Sequence, residues 1–241
     1  MKILVDTHAH TLVSGHAYST IKEMSLSAAQ KGMEGLALTE HAPQMPGSCG
    51  LFYFQNLKVV PKVMNGIQML LGVELNIMDN KGTIDLEPLL IKNLDIAIAS
   101  IHTPCYGESR GIEENTNAYI NAMKQPYINI IGHPDDGRYP IDYERLVLAA
   151  KEHQVLLEVN NSSLRANGFR VNAQENVSTL LELCKKHNVY ITVGSDAHVD
   201  VDAGCFDDAL AKLESCDFPE ELVVNTSFEK LKPFINRYKN L

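Results

Sequence analysis

The chain has 241 residues, of which 45% are hydrophobic and 21% are charged, and its formal net charge is -9. These values are typical of a soluble globular protein, and the acidic excess argues against nucleic acid or an anionic membrane as a general partner. Five widely spaced cysteines without a CxxC pair, no apolar run near the roughly 20 residues of a membrane span, and no signal-peptide pattern favour a cytoplasmic protein.

Short apolar runs rich in β-branched residues alternate with longer amphipathic stretches along the chain. In chain order they read KILVDTH, EGLALTE, IQMLLGVELNI, LDIAIASIH, INIIGHP, VLLEVNNS and VYITVGSDAH, and a weaker eighth run, ELVVNTS, follows near the end. Each run suits a strand that is buried on both faces of a parallel sheet.

Three of the intervening stretches carry clear helix signals. STIKEMSLSAAQKG places Glu23 at capping-box distance from Thr20 and ends at Gly32. IDYERLVLAAKEHQ and VNAQENVSTLLELCKKHN have apolar residues at helical spacing and basic or imidazole residues in the last turn. Seven or eight alternating strand-helix units predict an α/β barrel that forms one domain over residues 1–241.

The predicted connections differ in length at the two ends of the strands. Helix-to-strand connections such as KGMEG and QPY are short, whereas strand-to-helix connections such as APQMPGSCG, TPCYGESRG and SSLRANGFRVN are long and polar. Strand-to-helix loops build the active site of such barrels, so we expect the working site at the C-terminal face.

Most of the histidines fall at that face. Seven of the nine lie at the end of a predicted strand or just after one, and they are His8, His10, His16, His41, His102, His133 and His198. Two carboxylates, Glu74 and Asp196, follow strands in the same way. Seven imidazoles and two carboxylates exceed what one tetrahedral ion needs and would supply two or three ions with positions left for water and substrate.

The spacing within the first and last main strands supports this prediction. Residues i and i+2 of a strand point to the same side, so His8 and His10 can both reach one ion, and Asp196 and His198 repeat the pattern. The two remaining histidines, His153 and His187, end predicted helices, where we expect solvated side chains.

Other polar residues at this face are candidates for supporting roles. Arginine binds phosphate in a bidentate manner, so Arg138, Arg165 and Arg170 in the strand-to-helix loops are candidate substrate contacts, although arginine is usually a solvated surface residue. Glu158 and Asn160 end the sixth run, where they would either hydrogen-bond the metal ligands or contact substrate.

The motifs together resemble those of the PHP (polymerase and histidinol phosphatase) superfamily. DTHAHT resembles its opening D-x-H-x-H-[ST] motif, and TEHA, GVELN, IIGHP and GSDAH resemble its later motifs in order and spacing along essentially the whole chain. SGHAYST, EVNNSS and VNTS resemble the YcdX-like bacterial phosphatases within it. One departure is Glu40, where the family more often has aspartate.

The resemblance implies a distorted seven-stranded (β/α) barrel with a trinuclear metal site, and a homotrimer is possible for such proteins. It assigns three ligand sets. The first is His8, His10, Glu74 and Asp196, the second is Glu74, His102 and His133, with Glu74 shared, and the third is His16, His41 and His198. Zinc is the expected metal, with manganese or iron as alternatives.

The resulting hypothesis is metal-dependent hydrolysis of a small phosphate monoester by a hydroxide that bridges two ions, with Glu74, Asp196 and His198 at the reacting centre. One alternative is an amidohydrolase-like binuclear hydrolase of C–N or ester bonds, which would have no use for the third ligand set. The other is a metal-binding module without activity, which the intact ligands argue against. The substrate stays open among histidinol phosphate, nucleotide-derived phosphates and other small monoesters.

Overall fold

The computed structural model describes residues 1–238, so residues 239–241 of the predicted domain lie outside the described residues. Seven parallel strands form a nearly closed barrel in the order β1-β2-β4-β5-β6-β7-β8, and β3 pairs antiparallel with β4. The strands are β1 (Val5–Asp6), β2 (Gly35–His41), β3 (Val63–Met64), β4 (Ile67–Asn76), β5 (Ala97–Ser100), β6 (Ile130–Ile131), β7 (Leu156–Asn160) and β8 (Ile191–Gly194). The seven-stranded α/β barrel predicted from the sequence is therefore confirmed.

Helices surround the strands. They are α1 (Ile21–Gln30), α2 (Leu51–Asn56), α3 (Pro88–Ile91), α4 (Thr103–Tyr106), α5 (Ile112–Met123), α6 (Tyr143–His153), α7 (Asn161–Leu164), α8 (Ala173–His187), α9 (Asp207–Ser215) and α10 (Phe228–Leu231). Short 3-10 turns lie at Leu12–Ser14, Leu57–Val59, Asp200–Asp202, Glu220–Leu222, Val224–Thr226, Lys232–Phe234 and Asn236–Tyr238. Within residues 1–238, none of these helices has the length and apolar character needed to cross a bilayer.

The three helix predictions are confirmed, with their caps. Thr20 and Glu23 form the predicted capping box before α1, in which each side chain accepts a hydrogen bond from the other residue's backbone N–H. The buried positions of α8 include Val177, Leu180, Leu181 and Cys184, spaced i, i+3, i+4 and i+7, so one face of the helix packs on the barrel.

Two apolar cores lie on the two sides of the barrel wall. The larger one is between the strands and the helices. The smaller one fills the N-terminal end of the barrel interior and includes Val5, Ala37, Leu70, Ile98, Ile130 and Leu156. Because side chains two residues apart share one side of a strand, the inward row that begins at Leu70 reaches Glu74, and the row that begins at Ile98 continues to the position of His102. The strands thus present apolar residues at one end of the barrel and ligands at the other.

The prediction that ELVVNTS forms an eighth strand is wrong. Residues 220–226 form two 3-10 turns, and this segment touches the sheet through an isolated bridge between Ile191 and Val223. The Asn225 side chain lies between β1 and β8: its Nδ2 donates to Val5 O (2.8 Å) and Val193 O (2.7 Å), and its Oδ1 accepts from Val193 N (3.1 Å). The carboxamide therefore joins β1 to β8, in addition to the direct backbone bridge between Ala9 and Ala197.

The sequence of this run nevertheless resembles a strand because its apolar residues are buried on two opposite sides of the segment. Leu222 and Val223 belong to the outer core, whereas Val224 belongs to the inner core at the closed end of the barrel. Burial on both sides is also the pattern of a parallel strand, so the sequence pattern alone does not distinguish the two structures.

Candidate metal centre

A single carboxylate, Glu74 at the end of β4, lies at the centre of the polar end of the barrel. Its side chain is fully buried, and five imidazoles surround it with a ring nitrogen 2.8–3.4 Å from one of its oxygens. These imidazoles belong to His8, His10, His41, His102 and His133. Sequence-predicted ligands from four strand ends therefore converge on one carboxylate at a fifth.

The first ligand set has the dimensions of a tetrahedral metal site. The Nε2 atoms of His8 and His10 are 3.0 Å apart, and they lie 3.3 and 3.4 Å from Glu74 Oε2 and 3.6 and 3.5 Å from Asp196 Oδ1. Zinc bonds of about 2.0–2.1 Å in a tetrahedron separate neighbouring ligand atoms by about 3.3–3.4 Å. These residues therefore fit a divalent ion at the centre of the set.

The hydrogen bonds of His8 and His10 direct unprotonated nitrogens toward that centre. His8 Nδ1 lies 2.7 Å from Glu158 Oε1, so in the neutral ring Nδ1 donates and Nε2 keeps its lone pair. Ser14 Oγ donates to Glu40 Oε2 (2.6 Å), and it therefore accepts from His10 Nδ1 (3.2 Å). Glu158 and Glu40 thus orient both imidazoles, the latter through the hydroxyl of Ser14.

When both rings are neutral, this arrangement brings acceptors together without a donor. Two imidazole lone pairs face each other and two carboxylate oxygens, a grouping that repels itself unless a cation lies between its members. Among residues 1–238, Glu74 Oε2 and His41 Nδ1 are also buried side-chain atoms that form no hydrogen bond, although they are 2.8 Å apart. A metal ion would accept the lone pairs of such atoms. The unpaired acceptors and the distances therefore both fit a divalent ion at this position.

The second ligand set surrounds the other oxygen of Glu74. Glu74 Oε1 lies 3.1 Å from His102 Nε2 and 2.9 Å from His133 Nε2, and it accepts a hydrogen bond from Ser100 Oγ (2.7 Å). His102 Nδ1 is 2.8 Å from Asn76 Oδ1, whose amide nitrogen donates elsewhere, so His102 also presents an unprotonated Nε2.

The members of the third ligand set lie beside the first two sets. The Nε2 atoms of His16 and His41 are 3.2 Å apart, and the ring centroid of His198 is 4.9 Å from that of His16. His198 Nδ1 lies 3.0 Å from the carbonyl of Asp196, which leaves its Nε2 as a possible ligand. His41 has one ring nitrogen toward His16 and the other toward Glu74 Oε2.

Ligand atoms group in more than one way within this cluster. Three groups of three have their ligand atoms within 4.8 Å of one another: His8, His10 and Glu74; His10, His41 and His198; and His41, Glu74 and His102. His16, His133 and Asp196 adjoin these groups through His41, Glu74 and His8, so the nine predicted ligands form one continuous cluster.

Electrostatics keep both carboxylates ionised. Burial raises the pKa of Glu74, but the imidazoles of His102 and His8 outweigh burial and leave this pKa well below its usual range. Burial acts in the same way on Asp196, and His8 together with the Arg170 guanidinium holds its pKa well below the usual range. Both side chains are therefore anionic ligands at neutral pH.

The imidazoles divide into two electrostatic groups. Burial lowers the pKa of His10, but Asp196 and Glu74 overcome this effect and raise the pKa to about 9. Burial, helped by the charge on His10, lowers the pKa of His198 to about 4. The position between His10 and the carboxylates thus attracts positive charge, and a metal ion competes there with a proton.

Unusual backbone at two ligands turns their side chains inward. His133 and Asp196 have φ values of 29° and 54°, in the left-handed region that non-glycine residues rarely adopt. Gly194 lies two residues before Asp196, where a Cβ would be 2.2 Å from Glu158 Oε1 and 2.8 Å from His8 Cβ. A side chain at this position would displace the carboxylate that orients His8.

Asp6 joins the two strands that carry the first ligand set. Its carboxylate accepts hydrogen bonds from the backbone N–H and the hydroxyl of Ser195, from Gly204 N and from His8 N. The ligands His8 and Asp196 lie directly beyond these contacts, so Asp6 holds their backbones and does not itself face the ligand atoms.

A cavity of about 580 Å³ opens over the cluster. Its walls include Glu74, Asp196 and His198, several apolar residues, and two of the predicted arginines, Arg138 and Arg170. The third predicted arginine, Arg165, pairs instead with Asp202 at 2.9 Å, and its side chain is 39% exposed.

Sequence reasoning missed several residues that support the ligands. Asn76 and Ser100 could have been found, because each lies two residues from a ligand, on the same side of its strand. Ser14 lies in a 3-10 turn, where no strand periodicity applies, and Phe169 lies in the long loop before α8. His153 and His187 end α6 and α8 as predicted, and His187 contacts Glu144.

The chain is similar to known proteins over most of its length. A family model described as PHP domain matches residues 6–200, a range that contains all nine predicted ligands. A protein of Thermoanaerobacter sp. (strain X514), named a probable phosphatase, is 46% identical over 239 residues, which cover 99% of this chain and 97% of that protein. A probable phosphatase of Clostridium novyi is 45% identical over 235 residues, with coverage of 98% and 95%.

A solved structure shares the fold. The histidinol phosphate phosphatase of Lactococcus lactis, crystallised with zinc, L-histidinol and phosphate, superposes with a TM-score of 0.65. The two chains are 18% identical, and the match covers 91% of this chain and 95% of the other. At this identity the likeness establishes a common barrel architecture.

Proposed function

The chain belongs to the PHP domain family, with close relatives named probable phosphatases, and from this premise we propose that it hydrolyses a small phosphate monoester at a centre of three divalent metal ions. The observation that carries the proposal is the convergence of seven imidazoles and two ionised carboxylates in one cluster, of which five imidazoles and both carboxylates line a cavity. No tetrahedral ion uses nine ligands, and a structural site would leave no open coordination positions facing a cavity.

We assign the ions to the three ligand sets. Glu74 would serve two of them, because its Oε2 faces His8 and His10 while its Oε1 faces His102 and His133. His16, His41 and His198 would hold the third. Zinc is the first candidate, since the donors are imidazole nitrogens and carboxylate oxygens and the Lactococcus lactis enzyme was crystallised with zinc, while manganese or iron suits the same donors.

The protein's own charges favour a phosphate dianion at this site. Bound divalent ions would act as Lewis acids toward phosphoryl oxygens and lower the pKa of water to about 7. Glu74 and Asp196 provide only two ligand charges against three dications, so the cavity floor would keep a positive excess despite the overall charge of -9. Arg138 at the cavity wall adds a donor for an anionic substrate.

The cavity also limits the size of the alcohol that leaves. Ligand pockets of roughly 300–1,000 Å³ hold drug-sized molecules, and 580 Å³ exceeds what a phosphoryl group alone needs. Apolar side chains from Met45, Pro46, Ile101, Pro104 and Phe169 form much of the wall above the cluster. The proposed substrate is therefore a small phosphorylated metabolite, and histidinol phosphate is one candidate because the Lactococcus lactis enzyme was crystallised with L-histidinol and phosphate.

The test uses three chromogenic substrates that differ in the bond broken. Protein stripped of metal with a chelator is incubated with 4-nitrophenyl phosphate, bis(4-nitrophenyl) phosphate or 4-nitrophenyl acetate, and zinc, manganese or iron is added back. We expect hydrolysis of the monoester alone, and only after metal is restored. Preferred cleavage of the acetate would support the amidohydrolase-like alternative, and no phosphate release with any metal would refute the proposal.

A further inference from the structure

Arg170 is the most deeply buried arginine at the cavity, with a side chain that is 6% exposed. Its guanidinium is held from several directions. Nη1 donates to Ser163 Oγ (2.9 Å) and Asn160 Oδ1 (3.2 Å), and Nη2 donates to Asp196 Oδ2 (3.2 Å). The guanidinium carbon also lies 5.0 Å from the ring centroid of Phe169. Three of the five N–H groups of Arg170 are therefore directed at protein acceptors.

The two oxygens of Asp196 have different environments. Oδ2 accepts hydrogen bonds from Arg170 Nη2 and from Asn160 Nδ2 (3.1 Å). Oδ1 faces the Nε2 atoms of His8 and His10 at 3.6 and 3.5 Å. Two donors on one oxygen thus fix the rotation of the carboxylate and leave a single oxygen for the metal position.

We propose that Arg170 is a positioning residue for the metal centre, which holds Asp196 as a one-oxygen ligand of the first ligand set, and not primarily a contact for the substrate phosphoryl group. This inference rests on the metal-dependent function proposed above. Without the guanidinium, Oδ2 would keep Asn160 as its one remaining donor, and the carboxylate could rotate or bind through both oxygens. Residues that hydrogen-bond a metal ligand typically contribute about 10–100-fold to metal affinity or activity.

Arg138 provides the contrast within the same cavity. Its Nε and Nη2 donate to Asp136, and its guanidinium lies 5.1 Å from the same Phe169 ring. Its side chain is 39% exposed, and its described hydrogen bonds go to Asp136 and not to a metal ligand. The two arginines therefore share the cavity and the aromatic partner but differ in contact with Asp196.

The experiment compares metal affinity with phosphate affinity in Arg170→Gln, Arg170→Lys and the matched control Arg138→Gln. The dissociation constant for zinc is measured by competition with a chromogenic chelator. At saturating zinc, KM for 4-nitrophenyl phosphate and Ki for inorganic phosphate are measured on the same samples. Circular dichroism establishes that each variant is folded.

We expect Arg170→Gln to weaken the binding of one zinc ion about 10–100-fold while Ki for phosphate at saturating zinc changes less than about twofold. Arg170→Lys should restore part of the affinity, because lysine keeps the charge but lacks the planar fork. Arg138→Gln should leave zinc affinity unchanged. If Arg170→Gln does not fold, the zinc affinity of Arg170→Lys, relative to wild type, carries the same test.

Two results would overturn the inference. One is unchanged zinc affinity in Arg170→Gln with Ki for phosphate raised about tenfold or more, the loss expected for a charged hydrogen bond to substrate. The other is no change in either constant. A wild-type protein that binds no zinc, manganese or iron would instead refute the proposed function itself, so the two failures are distinguishable.

Discussion

Replacing Glu74 by glutamine should weaken the binding of two of the proposed ions, because this one carboxylate faces both the first and the second ligand set. Ser100 Oγ donates to Oε1, so the amide oxygen of the variant should stay at that position and the NH2 group should take the place of Oε2. There it would donate toward the Nε2 atoms of His8 and His10, which lie 3.3 and 3.4 Å from Oε2. A ligand is thus replaced by a donor that occupies the lone pairs of two others.

The expected loss of metal affinity in Glu74→Gln can be estimated from the effect of removing a residue that only hydrogen-bonds a metal ligand. Loss of such a residue weakens metal binding about 10–100-fold. Loss of a shared ligand should therefore weaken the binding of the ion at His8 and His10 at least about 100-fold, or by about 2.7 kcal/mol. Turnover of 4-nitrophenyl phosphate should fall to background with wild-type amounts of added zinc. Bound metal is counted by inductively coupled plasma mass spectrometry after gel filtration.

The matched control is Glu182→Gln, because Glu182 is exposed on α8 and the same chemical change there should alter neither metal content nor rate. A Glu74→Gln protein that keeps its full metal content and a rate within about twofold of wild type would refute the shared-ligand reasoning.

Three further predictions concern the residues around the ligands. Glu158→Gln keeps the shape of the side chain but removes the charge 2.7 Å from His8 Nδ1, and should weaken zinc binding about 10–100-fold in the chelator assay; unchanged affinity would contradict the role of Glu158. Gly194→Ala places a Cβ 2.2 Å from Glu158 Oε1 and should lower the free energy of unfolding, measured in urea, by about 1–3 kcal/mol and reduce metal content. A variant with wild-type stability and full metal content would show that Glu158 can move to accommodate the methyl group. Asn225→Ala leaves Val193 N, Val193 O and Val5 O without their side-chain partner and should cost at least about 2 kcal/mol in the same urea titration, and a loss below about 0.5 kcal/mol would show that the carboxamide does not hold the barrel closed.

The convergence of the nine candidate ligands could be predicted from sequence because the strand ends of a barrel lie next to one another. His41 and His102 are 61 residues apart in the chain, yet their rings lie 5.0 Å apart, since both lie at the C-terminal ends of strands of one sheet. The same rule of two-residue spacing, applied to each ligand, also yields Asn76 and Ser100. The barrel architecture follows from the alternation of strands and helices, and the face that carries the candidate ligands follows from loop length.

Other features depend on contacts that periodicity does not encode. Asn225 joins β1 to β8 through its side chain. The segment around it resembles a strand only because apolar residues flank Asn225. Arg165 and Arg170 are five residues apart in one loop, and the fold of that loop sends one to Asp202 and the other to Asp196. The homotrimer and the cytoplasmic location stay predictions.

Titration of zinc into the metal-free protein, with the rate of 4-nitrophenyl phosphate hydrolysis and the bound metal measured together, tests the proposed function most directly. We predict no hydrolysis without metal and a rate that rises to a plateau at three ions per chain. A plateau at two ions would contradict the three-ion assignment, and full activity of the metal-free protein would contradict the central claim that this chain is a metal-dependent phosphatase.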